Sequence, residues 1–387
     1  MSVTAPAGFR AAGVAAGLKS SGDPDVAVVV NDGPDDAAAA VFTINRFPAA
    51  PVQWSRQVLH GGRLRAVVLN SGGANACTGP EGFQDTHATA EHLAAELGLG
   101  AIDVAVASTG LIGVRLPMDR LLAGVTDAVK GLSDDGGAAA ARAIMTTDSV
   151  PKTTVQRGGS GGAAWTIGGI AKGAGMLAPS LATMLVVLTT DAVVPAEVLR
   201  PALEAATSVS VERVDSDGCL STNDTVIVMA NGASGVTPTA EEFTAALTAA
   251  ATDLAMQLLA DAEGSTKDIA ITVRNAASVA DALTAGRACA RNNLLKTALF
   301  GNDPNWGRVL AAIGTTDAAF QPDQVDVTIN GVTVCRGGSI GDPREGVDLT
   351  GRAISIDVDL RAGAEQATIW TNDLSLAYVH ENSAYST

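Results

Sequence analysis

The sequence predicts an α/β protein in which layered β-sheets are covered by helices. Two observations support this fold class. Apolar runs of strand length alternate with amphipathic helical patterns along the chain, and several of these runs are apolar throughout instead of alternating with polar residues. A strand that is apolar on both faces must be covered on both, by helices or by a second sheet. A layered sandwich is therefore favoured over an open antiparallel sheet.

The first half of the chain alternates predicted strands and helices. Four apolar runs predict strands, at 25–30, 40–44, 65–70 and 102–108. Two stretches with helical periodicity predict helices, at 86–99 and 118–132.

The second half continues the alternation and ends in β structure. A strand begins at Thr183, and Pro195 lies near the first turn of the helix that follows. Thr239 and Glu242 have capping-box spacing at the start of a long helix. Asn330-Gly331 is a strong signal for a two-residue hairpin. Further elements are a strand at 224–232, a strand at 268–275 and a helix at 278–299.

Composition and charge exclude several classes of function. The 387-residue chain is 47% hydrophobic, enough to bury a large core, and its formal net charge is −16. That charge disfavours nucleic-acid binding, which needs clustered Lys and Arg to displace counterions from phosphates. The amino terminus lacks the apolar core of a signal peptide, and no window reaches the roughly 20 apolar residues that span a bilayer. We expect a cytoplasmic enzyme without a membrane partner.

Metal and disulfide chemistry are also disfavoured. The four histidines form no HExxH pattern, and the four cysteines, Cys77, Cys219, Cys289 and Cys335, form no CxxC pair. We expect no metal site and reduced, mostly buried thiols. The acidic stretch 215–224 lacks the correctly placed glycine and the closing glutamate of a calcium loop, so it is interpreted as a polar turn.

Two G-x-S-x-G matches, around Ser160 and Ser339, suggest a hydrolase nucleophile but lack its context. A nucleophile elbow needs a strand before the serine and a helix after it. Ser160 leads instead into a strand-like run and Ser339 into a turn, so this interpretation is disfavoured. The glycine turn at 108–113 lacks dinucleotide-binding spacing, and its pattern leaves an ordinary turn and a functional turn equally open.

A threonine, Thr183, opens a nearly unbroken apolar run within the stretch KGAGMLAPSLATMLVVLTTD. A Thr hydroxyl is a poor nucleophile unless a base lies beside it, and the residue's own α-amino group, with a pKa of about 7.7 to 8.0, is such a base. That amine exists only after cleavage of the bond between Ala182 and Thr183. From periodicity alone, an ordinary strand residue is the favoured interpretation.

Six motifs, spread over essentially the whole chain, favour instead a functional role for Thr183. They are NSGGANACTG (70–79), ASTGLIG (107–113), AIMTTD (143–148), KGAGMLAPSLATML (172–185), GNDPNWGR (301–308) and ENSAYST (381–387). In this order they resemble the bifunctional glutamate N-acetyltransferase/ornithine acetyltransferase family of the cyclic arginine pathway.

The resemblance implies self-cleavage between Ala182 and Thr183. The products would be an α chain, 1–182, and a β chain, 183–387, which together form an N-terminal-nucleophile-like fold and pair into an α2β2 assembly. Thr183 would be the nucleophile and its α-amino group the base. The enzyme would move an acetyl group from N2-acetylornithine to glutamate by a ping-pong mechanism, without a cofactor and with acetyl-CoA as a possible co-substrate.

The resemblance also implies the roles of particular residues. Thr109 and Gly110 would form the oxyanion hole, which resolves the open question at the glycine turn. Substrate contacts would come from Ser149, where the family usually has Thr, and from Lys172, Thr183, Glu263, Asn382 and Thr387. The alternatives are a solvated loop charge for Lys172, a helix-end carboxylate for Glu263 and an ordinary chain end for Asn382 and Thr387.

Two other functions compete with this one. An N-terminal-nucleophile amidohydrolase or aminopeptidase would share the cleavage and the oxyanion hole but release the acyl group to water. A non-catalytic α/β binding protein would remain a single intact chain, and Thr183→Ala would change neither ligand binding nor turnover.

Overall fold

A computed structural model describes residues 2–159, 163–177 and 184–384. The predictions for Ser160, Ala182, Thr183 and Thr387 therefore lie outside the described residues. The strands, in chain order, are β1 (Phe9–Val14), β2 (Val26–Asn31), β3 (Ala37–Phe42), β4 (Ala66–Asn70), β5 (Val104–Ser108), β6 (Lys152–Gly158), β7 (Trp165–Lys172), β8 (Leu185–Thr190), β9 (Thr225–Ala230), β10 (Asp268–Ala276), β11 (Asp326–Ile329), β12 (Val332–Arg336), β13 (Ser339–Ile340), β14 (Ala353–Asp359) and β15 (Glu365–Asn372).

The helices cover these strands. In chain order they are α1 (Ala50–Val58), α2 (Gly79–Leu97), α3 (Met118–Lys130), α4 (Gly137–Ala143), α5 (Ala196–Ser208), α6 (Ala240–Ala260), α7 (Val279–Ala290), α8 (Asn293–Phe300), α9 (Trp306–Ile313) and α10 (Leu376–Ala384).

The first sheet belongs entirely to the first half of the chain. Its strand order is β1-β2-β4-β5, antiparallel except for the parallel pair of β4 and β5. Helices α1 and α2 pack on β5, and α3 packs on β2. The short connection after β5 leads directly into the glycine turn at 108–113, so this sheet positions that turn.

The second sheet contains strands from both halves of the chain. Its order is β3-β9-β8-β7-β6, and β8 and β9 come from beyond residue 183. Alternate residues of β8 face different cores: Leu185 and Val187 pack in the core shared with the first sheet, whereas Val186 and Leu188 pack with α5 and α6. The prediction of an α/β layered sandwich that both halves form jointly is confirmed.

The third sheet is formed by the last third of the chain. Its order is β13-β12-β11-β14-β10-β15, and α7 packs on β10 and β15. The predicted hairpin joins β11 and β12. Asn330 has φ 43° and Gly331 has φ 84°, as a type I′ turn requires, so the hairpin prediction is confirmed.

Local signals predicted some helix ends and missed others. The capping box is present: Glu242 N–H donates to Thr239 Oγ1 at 3.2 Å, and Thr239 N–H donates to Glu242 Oε2 at 3.0 Å. The single helix predicted at 278–299 is wrong, because the Asn292 side chain accepts the Leu295 N–H at 2.9 Å and starts a second helix, α8. The predicted β-rich end is confirmed by the strands β11 to β15, which α10 follows.

Helix α6 is long and apolar enough, by length and composition alone, to cross a membrane. It also contains Glu241, Glu242 and Asp253, so it is not a run of about 20 apolar residues. Phe243, Leu247 and Leu254 of this helix are fully buried against the second sheet. Its apolar character is thus accounted for by its place in the core.

Candidate active site

A cavity of about 80 Å³ lies where several strand and helix ends meet. One water needs roughly 10–15 Å³ of such space, so the cavity has room for a small polar ligand. Its lining comes from segments far apart in the sequence, and five of the predicted site residues are among them: Thr109, Gly110, Lys172, Glu263 and Asn382.

Thr109 and Gly110 lie directly after β5 and are fixed by the glycines of another motif. Thr109 N–H donates to Asn70 O at 2.9 Å, and Gly73 N–H donates to Thr109 O at 3.0 Å. Gly110 has φ +128°, and a Cβ at this position would lie 2.8 Å from Gly73 N. Only glycine fits there, so the close contact between the two motifs holds this turn against the cavity.

Lys172 lies at the end of β7 with its side chain buried at the cavity wall. Its exposed fraction is 2%. The Nζ atom donates to Thr146 Oγ1 at 2.8 Å and to Thr109 Oγ1 at 3.3 Å. Burial lowers the pKa of Lys172, and the neighbouring Asp148 carboxylate opposes this effect. The alternative of a solvated loop charge does not fit a buried lysine.

Asp148 is a buried carboxylate beside this lysine. Its Oδ2 lies 3.8 Å from Lys172 Nζ, and its Oδ1 accepts from Lys152 Nζ at 2.6 Å and from Gly173 N–H at 2.6 Å. Burial opposes its ionisation, but Lys172, Lys152 and the amide outweigh burial and lower the pKa of Asp148 to about 2. Asp148 is therefore ionised at neutral pH.

Glu263 follows α6 and faces the cavity across a glycine. Its N–H donates to Ala174 O at 2.9 Å. A Cβ on Gly175 would lie 2.7 Å from both carboxylate oxygens of Glu263, so the absence of a side chain at 175 makes room for this carboxylate. The position puts a negative group on the cavity wall beside the end of β7.

Asn382 and Ser149 have different positions relative to the cavity. Asn382, on α10, is exposed and lines the cavity, with its Nδ2 bonded to Tyr378 O at 3.0 Å. Ser149 is not among the lining residues; its hydroxyl and N–H both bond to the carboxylate of Asp261. Two threonines of the AIMTTD motif just before Ser149, Thr146 and Thr147, line the cavity instead.

Sequence reasoning also missed a group of residues before β9. Ser221, Thr222 and Asn223 line the cavity, although their stretch was interpreted as a polar turn. Asn223 Nδ2 donates to Ala74 O at 2.6 Å and to Ser108 O at 2.8 Å, which joins two loops of the first sheet to the second. A run of polar residues directly before an apolar strand was the available signal.

Asp224, the next residue, is hydrogen-bonded to Met184, the first described residue after Thr183. Its Oδ1 accepts the Met184 N–H at 3.1 Å. Asp224 is completely buried, and burial raises its pKa well above the usual range. Its Oδ2 has no hydrogen-bond partner within the described residues. The backbone at Met184 is thereby tied to the loop that lines the cavity.

The cysteines and possible metal ligands lie apart from this site. Cys289 and Cys335 are buried, but Cys77 and Cys219 are exposed, so the expectation of mostly buried thiols holds for only two of the four. Across 2–159, 163–177 and 184–384, no group of three or more His, Cys, Asp or Glu side chains is arranged to hold a metal ion.

Comparison with known proteins gives one consistent family. The ArgJ family model matches residues 10–387. The arginine biosynthesis bifunctional protein ArgJ of Thermobifida fusca is 64% identical over 387 residues, covering 100% of both chains. The protein of the same name from Mycobacterium tuberculosis is 58% identical over 393 residues, covering 99% of this chain and 96% of its own.

Among solved structures, an ornithine acetyltransferase from Mycobacterium tuberculosis, complexed with ornithine, is 65% identical to the part it matches. It covers 47% of this chain and 96% of its own, with a TM-score of 0.45.

Proposed function

This chain belongs to the ArgJ family, and we propose that it transfers the acetyl group of N2-acetylornithine to glutamate. The observation that carries the proposal is the meeting of Thr109, Gly110, Lys172 and Glu263 around one small cavity. These residues lie up to 154 positions apart in the sequence, and each offers a group that such a reaction needs.

The charges of the cavity suit an α-amino acid. Lys172 supplies a cation for a carboxylate, and Glu263 supplies an anion for an ammonium group. Thr109 and Gly110 offer a hydroxyl and a backbone N–H as donors for the negative oxygen of a tetrahedral intermediate. Asn382 and Thr387 complete the proposed substrate contacts, and Ser149 is retained as a contact that the motif predicts.

In the proposed mechanism, Thr183 is the nucleophile and its own α-amino group is the base. The Thr183 oxygen attacks the acetyl carbonyl while the amine takes the hydroxyl proton. Collapse of the intermediate breaks the amide bond, the proton passes to the departing ornithine amine, and the acetyl group remains as an ester. The amine of glutamate then attacks the ester and restores the hydroxyl, which makes the reaction ping-pong.

The nucleophile becomes available when the chain cuts itself between Ala182 and Thr183. The α chain, 1–182, and the β chain, 183–387, then remain associated in an α2β2 assembly. The interleaving of β3, β6 and β7 with β8 and β9 in one sheet supports continued association. We also propose a cytoplasmic enzyme that accepts acetyl-CoA as a second acetyl donor and needs no cofactor.

Intact-mass spectrometry with amino-terminal sequencing tests the nucleophile. The expected result is two fragments, the second of which begins Thr-Met-Leu-Val. Thr183→Ala is expected to block both cleavage and transfer, whereas Thr183→Ser keeps part of each because it keeps the hydroxyl. A single 38.8 kDa chain with full transfer activity would remove the α-amino base from the mechanism.

The competing hydrolase is separated by the fate of the acetyl group. With N2-acetylornithine as donor, the transferase consumes it in proportion to added glutamate and forms N-acetylglutamate. A hydrolase instead releases acetate whether or not glutamate is present. Measuring both products by mass spectrometry in one reaction decides between the two.

A further inference from the structure

We infer that Asp148 and Lys152 are positioning residues of this cavity: Asp148 aims the Lys172 ammonium at Thr109 and Thr146, and Asp148 and Lys152 act on that ammonium with opposite charges. The inference rests on the proposed function, because it assigns these residues to the transfer site. Neither residue lines the cavity, so each acts through Lys172.

The geometry is a line of alternating charges that runs inward from the surface. Asp261 is partly exposed and bonds Lys152 Nζ. Lys152 is completely buried and bonds Asp148 Oδ1 at 2.6 Å, and Asp148 Oδ2 faces Lys172 Nζ at 3.8 Å. An uncompensated buried charge costs several kcal/mol, so each member of this line depends on its neighbours.

Asp148 also joins the two backbone segments that carry the cavity residues. Its Oδ2 accepts the Thr146 N–H at 2.9 Å, and its Oδ1 accepts the Gly173 N–H at 2.6 Å. One carboxylate therefore holds Thr146 and Gly173 in fixed positions relative to each other. This explains why Lys172 Nζ lies within bonding distance of Thr146 Oγ1.

The charge on Lys172 decides what the Thr109 hydroxyl can do. An ammonium group has three donors and no acceptor, so Thr109 Oγ1 must accept from it and keeps its own hydrogen for another acceptor. A neutral amine can accept, and the Thr109 hydrogen could then turn towards the lysine. A charged Lys172 therefore leaves Thr109 able to donate to a developing oxyanion.

The other charged groups near Lys172 are Lys19, Glu263 and Asp224. Lys19 repels the ammonium and Glu263 attracts it. Asp224 also attracts it, although burial raises the pKa of Asp224 and so favours its neutral form. Asp148 is the strongest attraction among these charges, and Lys152 adds a repulsion to it.

The two substitutions are expected to move Lys172 in opposite directions. Asp148→Asn removes an attractive charge, so the pKa of Lys172 falls. Lys152→Met removes a repulsive charge and keeps an apolar stem, so the pKa of Lys172 rises. A charge within about 4–6 Å shifts a pKa by about 1 to 3 units, and Lys152 acts on Lys172 less strongly than Asp148 does, so its effect is expected to be the smaller. Loss of packing alone has no such opposed signs.

The test labels lysines competitively with acetic anhydride from pH 6 to 11 and measures Lys172 by peptide mass spectrometry. The pH at half-maximal labelling should fall by about one unit or more in Asp148→Asn and rise in Lys152→Met, relative to the wild type. This readout needs no catalysis. The inference is overturned if neither variant shifts the midpoint or if both shift it in the same direction.

Activity gives a second readout in the same variants. The alkaline limb of kcat/KM for acetyl transfer should move with the labelling midpoint. If the wild type shows no transfer while the labelling midpoints move as expected, the proposed function fails and the inference about Asp148 and Lys152 stands. If transfer is normal and the midpoints do not move, that inference fails and the proposed function stands.

Three further variants control for misfolding and for effects unrelated to the charge on Lys172. Asp148→Glu keeps the carboxylate and should restore the labelling midpoint towards the wild-type value. Asp261→Asn, at the partly exposed end of the line, should lower the midpoint slightly even if the inner variants do not fold. Asp253→Asn is the matched control: it loses hydrogen bonds to Thr154 and Gln257 but has no bond to either lysine, and it should leave the midpoint unchanged.

Discussion

Two clusters of buried charge contact the segment 172–177, and they differ in how their charges are balanced. The cavity cluster contains Asp148, Lys152, Lys172 and Asp261. The second cluster contains Asp215, Asp217, Arg291 and Lys296, with Asp217 Oδ2 accepting the Leu177 N–H at 3.1 Å.

Burial is similar in the two clusters, but the outcome for the carboxylates is opposite. Asp148 has two lysines and two backbone amides around it, and its pKa falls to about 2. The side chain of Asp215 is equally buried, but it pairs with Arg291, whose side chain is 46% exposed, and burial raises the pKa of Asp215 to about 6. The number and closeness of counterions, not burial alone, decide whether a buried carboxylate stays charged.

The lysine of the second cluster shows the same principle. Burial lowers the pKa of Lys296 to about 8, although Asp215, Asp217 and Asp373 oppose this effect. Lys296 donates to Ser216 O and Thr371 Oγ1, which hold it inside the protein and away from the cavity. We therefore assign the second cluster to the stability of the fold and the cavity cluster to the site.

The largest expected difference is in activity. Lys172→Met should lower kcat/KM for acetyl transfer by roughly 30-fold or more, because it removes the cation proposed for the substrate carboxylate and loss of one partner of a buried charge pair costs about 2–5 kcal/mol. Lys296→Met should change kcat/KM less than about threefold, because Lys296 contacts no residue of the cavity lining in the described hydrogen bonds. Steady-state kinetics of both variants under one set of conditions checks the contrast, and equal losses would contradict it.

The next effect is on stability. Asp148→Asn should lower the free energy of unfolding by about 3–5 kcal/mol at pH 7, because it leaves buried lysines uncompensated. The pKa of Asp148 is depressed on folding, from 3.8 to about 2, so this contribution is present above about pH 4 and is lost as the pH falls towards 2. The measurement is urea unfolding in the Thr183→Ala background, which is expected to remain one uncleaved chain. The difference in free energy of unfolding between Asp148→Asn and its parent should become smaller below about pH 4.

Asp215→Asn should have the opposite pH dependence. The pKa of Asp215 is raised on folding, from 3.8 to about 6, so the protein with Asp215 loses stability as the pH rises from about 4 to 6. The asparagine does not titrate. Between pH 4 and pH 7, the free energy of unfolding of Asp215→Asn should therefore increase by about 1 to 3 kcal/mol relative to that of the wild type. A pH-independent difference in urea unfolding would show that Asp215 ionises normally.

The smallest effect is expected for the exposed partner of that carboxylate. Arg291→Gln should cost about 1 kcal/mol or less at pH 7, because its guanidinium is 46% exposed and water screens the pair. The cost should shrink further at pH 5, where Asp215 is protonated. Thermal unfolding at the two pH values checks this order, and a larger loss at pH 5 would contradict it.

The site shows where sequence reasoning succeeds and where it stops. Thr109, Gly110, Lys172, Glu263 and Asn382 were predicted from motifs, and they line one cavity. Their roles stay predictions until tested. For Ser149, the motif identified the right stretch but could not show which hydroxyl faces the cavity, because that depends on how Asp261 of a distant helix end holds the loop.

The sequence by itself determined the layered α/β class, the hairpin at Asn330-Gly331 and the capping box at Thr239, because each depends on apolar patterning or on residues a few positions apart. The break between α7 and α8 also has a local signal, the Asn292 cap, but only the tertiary structure decided the contact of Gly110 with Gly73 and the line of charges behind Lys172. The physical reason is range: these last two features come from groups that are distant in the chain, and their burial is set by the packing of whole sheets and helices.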